Sequence, residues 1–168
     1  MLKRIHGDLQ ANGWDGDWAI GQLANSPGLE SERGLKLRVG NPYEFINSSI
    51  LQLQYDTESQ QLLVAEKCKL HRMQLWNLQY GERIFIHDCD IRAGGSGGPV
   101  VVKNDGAYQV IGFYLGTVSR SRYYEMEPRA DYSMFDPESF VNVARRIDPE
   151  ILQAIQHMNS SDTNPKHP

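Results

Sequence analysis

Ser96 stands in the run Arg92-Ala93-Gly94-Gly95-Ser96-Gly97-Gly98-Pro99-Val100, a single hydroxyl among four glycines. Such a turn suits a nucleophile. Glycine takes backbone angles that a side chain forbids, so amide N–H groups can be aimed at the point where negative charge develops as an oxygen attacks a carbonyl. Pro99 opens the apolar run Val100-Val101-Val102, and the first position of a strand tolerates proline. The chemistry this pattern predicts is acyl transfer from a serine at the mouth of a strand. A plain Gly/Ser turn joining two strands has the same composition.

Other chemistries fit less well. Gly94-Gly95-Ser96-Gly97-Gly98 satisfies the Gly-x-Ser-x-Gly elbow of α/β-hydrolases, but that elbow leads into a helix, and here a proline and three valines follow. Phosphate cradling is weaker still, because no Gly-Lys-Ser/Thr follows the glycines. Cys68, His71, His87 and Cys89 carry zinc-type donors, yet zinc sites bring closely spaced ligand pairs on turns, so no metal is expected. No cofactor is expected either. The two cysteines either form a bridge, closing a loop of about twenty residues for about 3 kcal/mol, or stay as buried thiols. Their spacing leaves both open.

The elements that must hold the serine read as strands. Alternating or β-branched runs recur at Trp18–Leu23, Leu35–Val39, Ile50–Tyr55, Leu62–Lys67, Arg83–His87, Val100–Lys103 and Tyr108–Tyr114. Asn104-Asp105-Gly106 predicts a tight hairpin directly after the serine strand. A helical pattern comes only near the end, with Asp148 to cap, Pro149 in the first turn, and Ile151, Leu152, Ile155 and Met158 on one face. Residues 159–168 are polar and proline-containing and read as a disordered tail. Met73–Tyr80 reads as strand and turn, and Arg120–Tyr132 as an exposed loop.

The chain has 168 residues and a net charge of −4 with no basic run. That balance argues against nucleic acid or an anionic membrane surface as a partner. No apolar stretch is long enough to cross a bilayer, and Met1-Leu2-Lys3-Arg4 does not lead into the apolar segment of a signal peptide. One domain is the natural count, although double β-barrels often run to about 200–250 residues.

The serine turn resembles the active-site motif of trypsin-like serine peptidases, specifically the bacterial glutamyl-endopeptidase-like branch. The resemblance implies an all-β fold, a trypsin-like double β-barrel with an incomplete N-terminal barrel and a C-terminal helix. It implies residues 1–33 as the remnant of the first barrel, 34–146 as the second barrel, 147–158 as the helix and 159–168 as the tail. Asn142-Val143-Ala144 would be the last barrel strand. It also implies endopeptidase chemistry on a polypeptide substrate through an acyl-enzyme, with Ser96 as nucleophile and the amides of Gly94 and Ser96 as oxyanion hole. Gly95 replaces the Asp that digestive members place before the serine, which implies no activation by a freed amino terminus.

Gly16-Asp17-Trp18-Ala19-Ile20 resembles the segment with the triad aspartate, assigning Asp17. Tyr108–Gly116 resembles the wall of the specificity pocket, with Tyr114, Leu115 and Gly116 as wall residues and Asp90, six residues before Ser96, at its base. The Cys68–Cys89 pair is implied as a disulfide, which with the resemblance implies a secreted or periplasmic protein. The departure is the histidine. In this family it precedes the aspartate within a small-residue and cysteine turn, whereas only His6, in Arg4-Ile5-His6-Gly7-Asp8, stands before Asp17. The expectation is a base missing with an absent N-terminal segment, and little or no activity. A non-catalytic peptide-binding or scaffold protein on the same fold is the alternative.

Overall fold

The computed structural model describes residues 2–7, 18–23, 35–72, 82–119 and 140–160. Asp17, Met73–Tyr80, Arg120–Tyr132 and the end of the chain from 161 lie outside them. The described body is mostly antiparallel β with one terminal helix.

Two strands, β1 (Leu2–Gly7) and β2 (Ala19–Leu23), form a small antiparallel sheet. The larger sheet holds β3 (Lys36–Leu37), β4 (Ile50–Asp56), β5 (Gln61–Cys68), β6 (Leu70–His71), β7 (Ile84–His87), β8 (Pro99–Asn104), β9 (Ala107–Ser119) and β10 (Phe140–Arg146). Its order is β5-β4-β8-β9-β10-β7-β6, with β3 beside β9 in parallel. The first and last strands of that path are separated in the chain only by Lys69, so the sheet must roll until its edges lie together. The bonded pair Cys68–Cys89, with Cα atoms 4.8 Å apart, ties the end of β5 to the segment leaving β7 across that seam.

The valine run of β8 is explained by this rolling. Val100 and Val102 point into the barrel with Ile50, Phe85, Ile111 and Ala144, while Val101 packs outside with Trp18, Val110, Ile147 and Ile151. A strand covered on both faces carries an unbroken apolar run rather than an alternating one. Asp105 and Gly106 take positive φ, 49° and 80°, and close the β8–β9 hairpin foreseen at Asn104-Asp105-Gly106.

The helix α1 (Pro149–Ser160) begins as its sequence predicts. Asp148 Oδ1 accepts from the Ile151 amide at 3.1 Å and Pro149 occupies the first turn. Ile151, Ala154 and Met158 are its buried residues, with Leu152 and Ile155 half-buried. The helix continues through Asn159 and Ser160, where the sequence reading began the tail; the Ser160 hydroxyl donates to the His157 carbonyl and finishes the last turn. Leu35–Val39 narrows to the two paired residues of β3, and a 3-10 turn at Pro42–Phe45, capped by Asn41, follows it.

Candidate active site

The serine turn crosses one mouth of the barrel, and strand β4 is its floor. On β4 the buried residues are Ile50, Gln52, Gln54 and Asp56, and the outward ones are Leu51, Leu53 and Tyr55. The two buried glutamines go to the turn. Gln54 Nε2 donates to the Asp90 carbonyl at 3.0 Å and its Oε1 accepts from the Arg92 amide at 2.8 Å. Gln52 Nε2 donates to the Gly98 carbonyl at 3.1 Å. The Asp56 carboxyl is held below the ordinary carboxylate range, chiefly by the Ser59 hydroxyl and further by the amides of Glu58 and Ser59, with Arg92 3.8 Å away.

This packing is why the turn is glycine-rich. A Cβ at Gly94 would lie 2.7 Å from the Tyr55 carbonyl oxygen, one at Gly95 3.0 Å from Gln54 Oε1, and one at Gly98 against the Leu53 carbonyl oxygen. Gly94 also has φ +96° and Gly97 φ +80°, the region that favours glycine.

Within the turn, Gly95 N donates to the Arg92 carbonyl, Gly98 N to Gly95, and Gly97 N to the Tyr114 carbonyl of β9. Tyr114 N returns a bond to the Gly98 carbonyl at 2.9 Å. The amides of Gly94 and Ser96 have no acceptor among the described residues. Ser96 is exposed, and its hydroxyl donates to the Leu115 carbonyl at 3.4 Å. Leu115 itself is the extra residue of a β-bulge: Val143 faces Gly116, the next residue Ala144 faces Tyr114, and Leu115 is left unpaired.

Ser96 lies at a groove of about 560 Å³ lined mostly by apolar side chains, among them Trp18, Ile20, Phe113, Leu115 and Ile151. The structure thus brings Ser96, Tyr114 and Leu115 to one groove. Gly116 follows in the strand, opposite Val143, and is not part of the lining. Asp90 is exposed and lines a different cleft, with Glu66, Lys67, Cys68 and Asp88.

The described histidine side chains are occupied elsewhere. His71 Nε2 is 2.8 Å from Asp88 Oδ2, and His157 is exposed on α1. His87 is fully buried, its Nδ1 accepting from the Cys89 amide, and burial pushes its imidazole down to about 3. Its Nε2 has no hydrogen-bond partner among the described residues. Cys68 and Cys89 are bonded to each other, which withdraws both sulfurs from the zinc alternative. Among the described residues no cluster of three or more His, Cys, Asp or Glu could hold a metal ion.

Sequence reasoning missed Gln52 and Gln54, because alternation in Leu51-Gln52-Leu53-Gln54 carries no sign of which face is buried. It also missed the polar chain from Tyr114 Oη through Thr117 Oγ1 to Asn142, whose Nδ2 donates to the Cys89 carbonyl at 2.6 Å.

A family model described as Peptidase S7, Flavivirus NS3 serine protease, matches residues 41–127, more than half of the chain. The chain belongs to this family. The Peptidase S7 match begins at Asn41, ahead of β4, and includes the serine turn and the whole of β8 and β9. The glutamine, Tyr114 and glycine contacts that fix the turn in this Peptidase S7 chain all fall inside the matched span. No curated protein matches the chain. No helix of the described residues is long and apolar enough to cross a membrane.

Proposed function

We propose that the chain carries the nucleophile half of a serine endopeptidase site, with Ser96 attacking the scissile carbonyl and the amides of Gly94 and Ser96 receiving the oxyanion. The observation that carries this reading is the pairing of an exposed hydroxyl with two turn amides that the turn's own hydrogen bonds leave unused. Hydrogen bonds at Gly95, Gly97 and Gly98 fix the backbone, so the two remaining donors stand in place before the reaction, the condition under which such groups stabilise a developing charge most. The polypeptide would lie in the groove along Tyr114 and Leu115. Cys68–Cys89 supports an oxidising compartment, secreted or periplasmic.

Attack by the Ser96 oxygen requires a base to take its proton, and no described imidazole touches that oxygen. Asp17 would orient such a base, and lies outside the described residues. Asp90, in its separate cleft, gives no support to a place at the base of the specificity pocket. With the described residues only, Ser96 is a weak nucleophile near neutral pH.

Fluorophosphonate labelling with and without added imidazole tests this. Labelling confined to Ser96, near background in plain buffer and rising with imidazole, is expected, and Ser96→Ala should remove it. Rapid labelling in plain buffer would show a base supplied by the chain itself. Labelling absent in both, or spread over other hydroxyls, would refute the nucleophile.

The lack of a described imidazole at Ser96 favours one second reading, a peptide-binding or scaffold protein that uses the groove without catalysis. It predicts peptide binding that Ser96→Ala leaves unchanged and no labelling under either condition.

A further inference from the structure

We propose that Gln54, assisted by Gln52, is a positioning residue for the oxyanion site, the template that sets the backbone of the serine turn. The proposal rests on the reading of Ser96 as nucleophile and adds the group that holds its surroundings in place.

A buried carboxamide is costly unless its donor and acceptor are both used. Gln54 is 5 % exposed and uses both on one short stretch, donating to the Asp90 carbonyl and accepting from the Arg92 amide. Those two groups flank Ile91. The side chain thus does for that limb what a neighbouring strand does in a ladder, engaging one carbonyl and one amide on either side of a residue. Gln52 grips the opposite limb at the Gly98 carbonyl.

Between the two anchors lie Ala93 to Gly97, and with them the amides of Gly94 and Ser96. The Arg92 carbonyl, one Cα beyond the amide that Gln54 holds, accepts from Gly95 N. The Gly98 carbonyl, held by Gln52, also accepts from Tyr114 N, and the Tyr114 carbonyl accepts from Gly97 N. The Ser96 amide shares its peptide plane with the Gly95 carbonyl, which accepts from Gly98 N, so the two held limbs meet at the oxyanion amides through the turn's own hydrogen bonds. Thr57 Oγ1, 3.5 Å from the Ala93 carbonyl, is the third contact from the same floor.

Gln54 touches neither the hydroxyl nor the oxyanion amides, so its effect is on their placement. A displacement of about 1 Å at such a site can cost about a hundredfold in rate. Gln54→Met removes both hydrogen bonds at nearly constant volume. Gln54→Glu keeps an acceptor when ionised and regains a donor only when protonated, in which form it matches the glutamine.

The test uses the full chain with Ser96→Cys, whose thiolate reacts by two routes. Acylation by an activated ester passes through an oxyanion, and alkylation by iodoacetamide does not. Their ratio cancels the thiolate fraction at each pH. Adding Gln54→Met should lower the ratio at least about tenfold with alkylation unchanged, and Gln54→Glu should recover towards the glutamine value as pH falls. A ratio unchanged in both variants, or acylation and alkylation falling together, would overturn the proposal.

Amide hydrogen exchange gives a second readout free of the chemistry. Arg92, Gly95 and Gly98 should exchange faster in Gln54→Met with the amides of α1 unchanged, and equal exchange at those three would also overturn it. If the thiol at position 96 in the parent acylates no faster than a free small-molecule thiol, the nucleophile assignment fails instead, and exchange alone decides the clamp.

Discussion

Gly94 is where the backbone demand is sharpest. Its φ of +96° and the Tyr55 carbonyl oxygen 2.7 Å from any Cβ both exclude a side chain, so Gly94→Ala must shift the turn away from β4. We expect imidazole-assisted labelling of Ser96 to fall by about 10²–10³, the usual effect of losing one oxyanion donor, with the thermal midpoint lowered as well. Labelling at the parental rate would place the oxyanion elsewhere. The serine and its glycines were legible in the sequence because their composition is local. Gln52 and Gln54 were not, since their importance comes from contacts with residues 36 or more positions along the chain.

His87 supplies a second residue-scale test. Its imidazole ordinarily titrates near 6.5 and here near 3, so between those values the unfolded chain binds a proton that the folded chain refuses. Stability is therefore full above about 6.5 and is lost as pH falls towards 3. The urea midpoint should drop between pH 7.5 and 5, and less so in His87→Phe. Parallel pH slopes for the two proteins would contradict the burial of His87.

The C-terminal helix shows how an element is fixed at its first residue. Burial acts to raise the Asp148 carboxyl, but the Ile151 amide, the hydrogen bond and charge of Arg145, and the charge of Arg83 outweigh it and hold it low. Arg145 is fully buried and its Nη2 is 2.8 Å from Asp148 Oδ2, so the cap also neutralises a buried guanidinium. Asp148→Asn keeps the cap oxygen and removes the charge. Leaving Arg145 buried without a charged partner so close should cost about 3–5 kcal/mol in urea unfolding, against about 1 kcal/mol for an ordinary cap lost. A loss below about 1 kcal/mol would contradict the account. The cap was legible at Asp148-Pro149, whereas the partner Arg145 was hidden on a strand. Most strands of the larger sheet were legible too, but β1, β6 and the end of β9 beyond Tyr114 were not, nor was the bulge at Leu115, which depends on how β9 bends against β10.

At the scale of the whole molecule, the rolled sheet is closed where β5 meets β6, and Cys68–Cys89 lies across that seam. Replacing both cysteines by alanine should lower stability by about 3 kcal/mol, the effect expected for a separation of 21 residues. It should also loosen the segment after Cys89 that carries Asp90 and Arg92, the two anchors of Gln54. Faster exchange at Arg92 in the double variant would link seam to site, and unchanged exchange there would separate them. The mostly-β fold was legible from strand rhythm and the terminal helix. The closure was anticipated only through the family resemblance, because nothing in a run of short strands says that the first and last of the path are consecutive in the chain.

A crystal structure of the fluorophosphonate adduct formed in imidazole tests the account most directly. The phosphonyl group should be bonded to Ser96 Oγ, with its oxygen about 2.7–3.1 Å from the amides of both Gly94 and Ser96. A phosphonyl oxygen turned to solvent, or an adduct on any other residue, would contradict it.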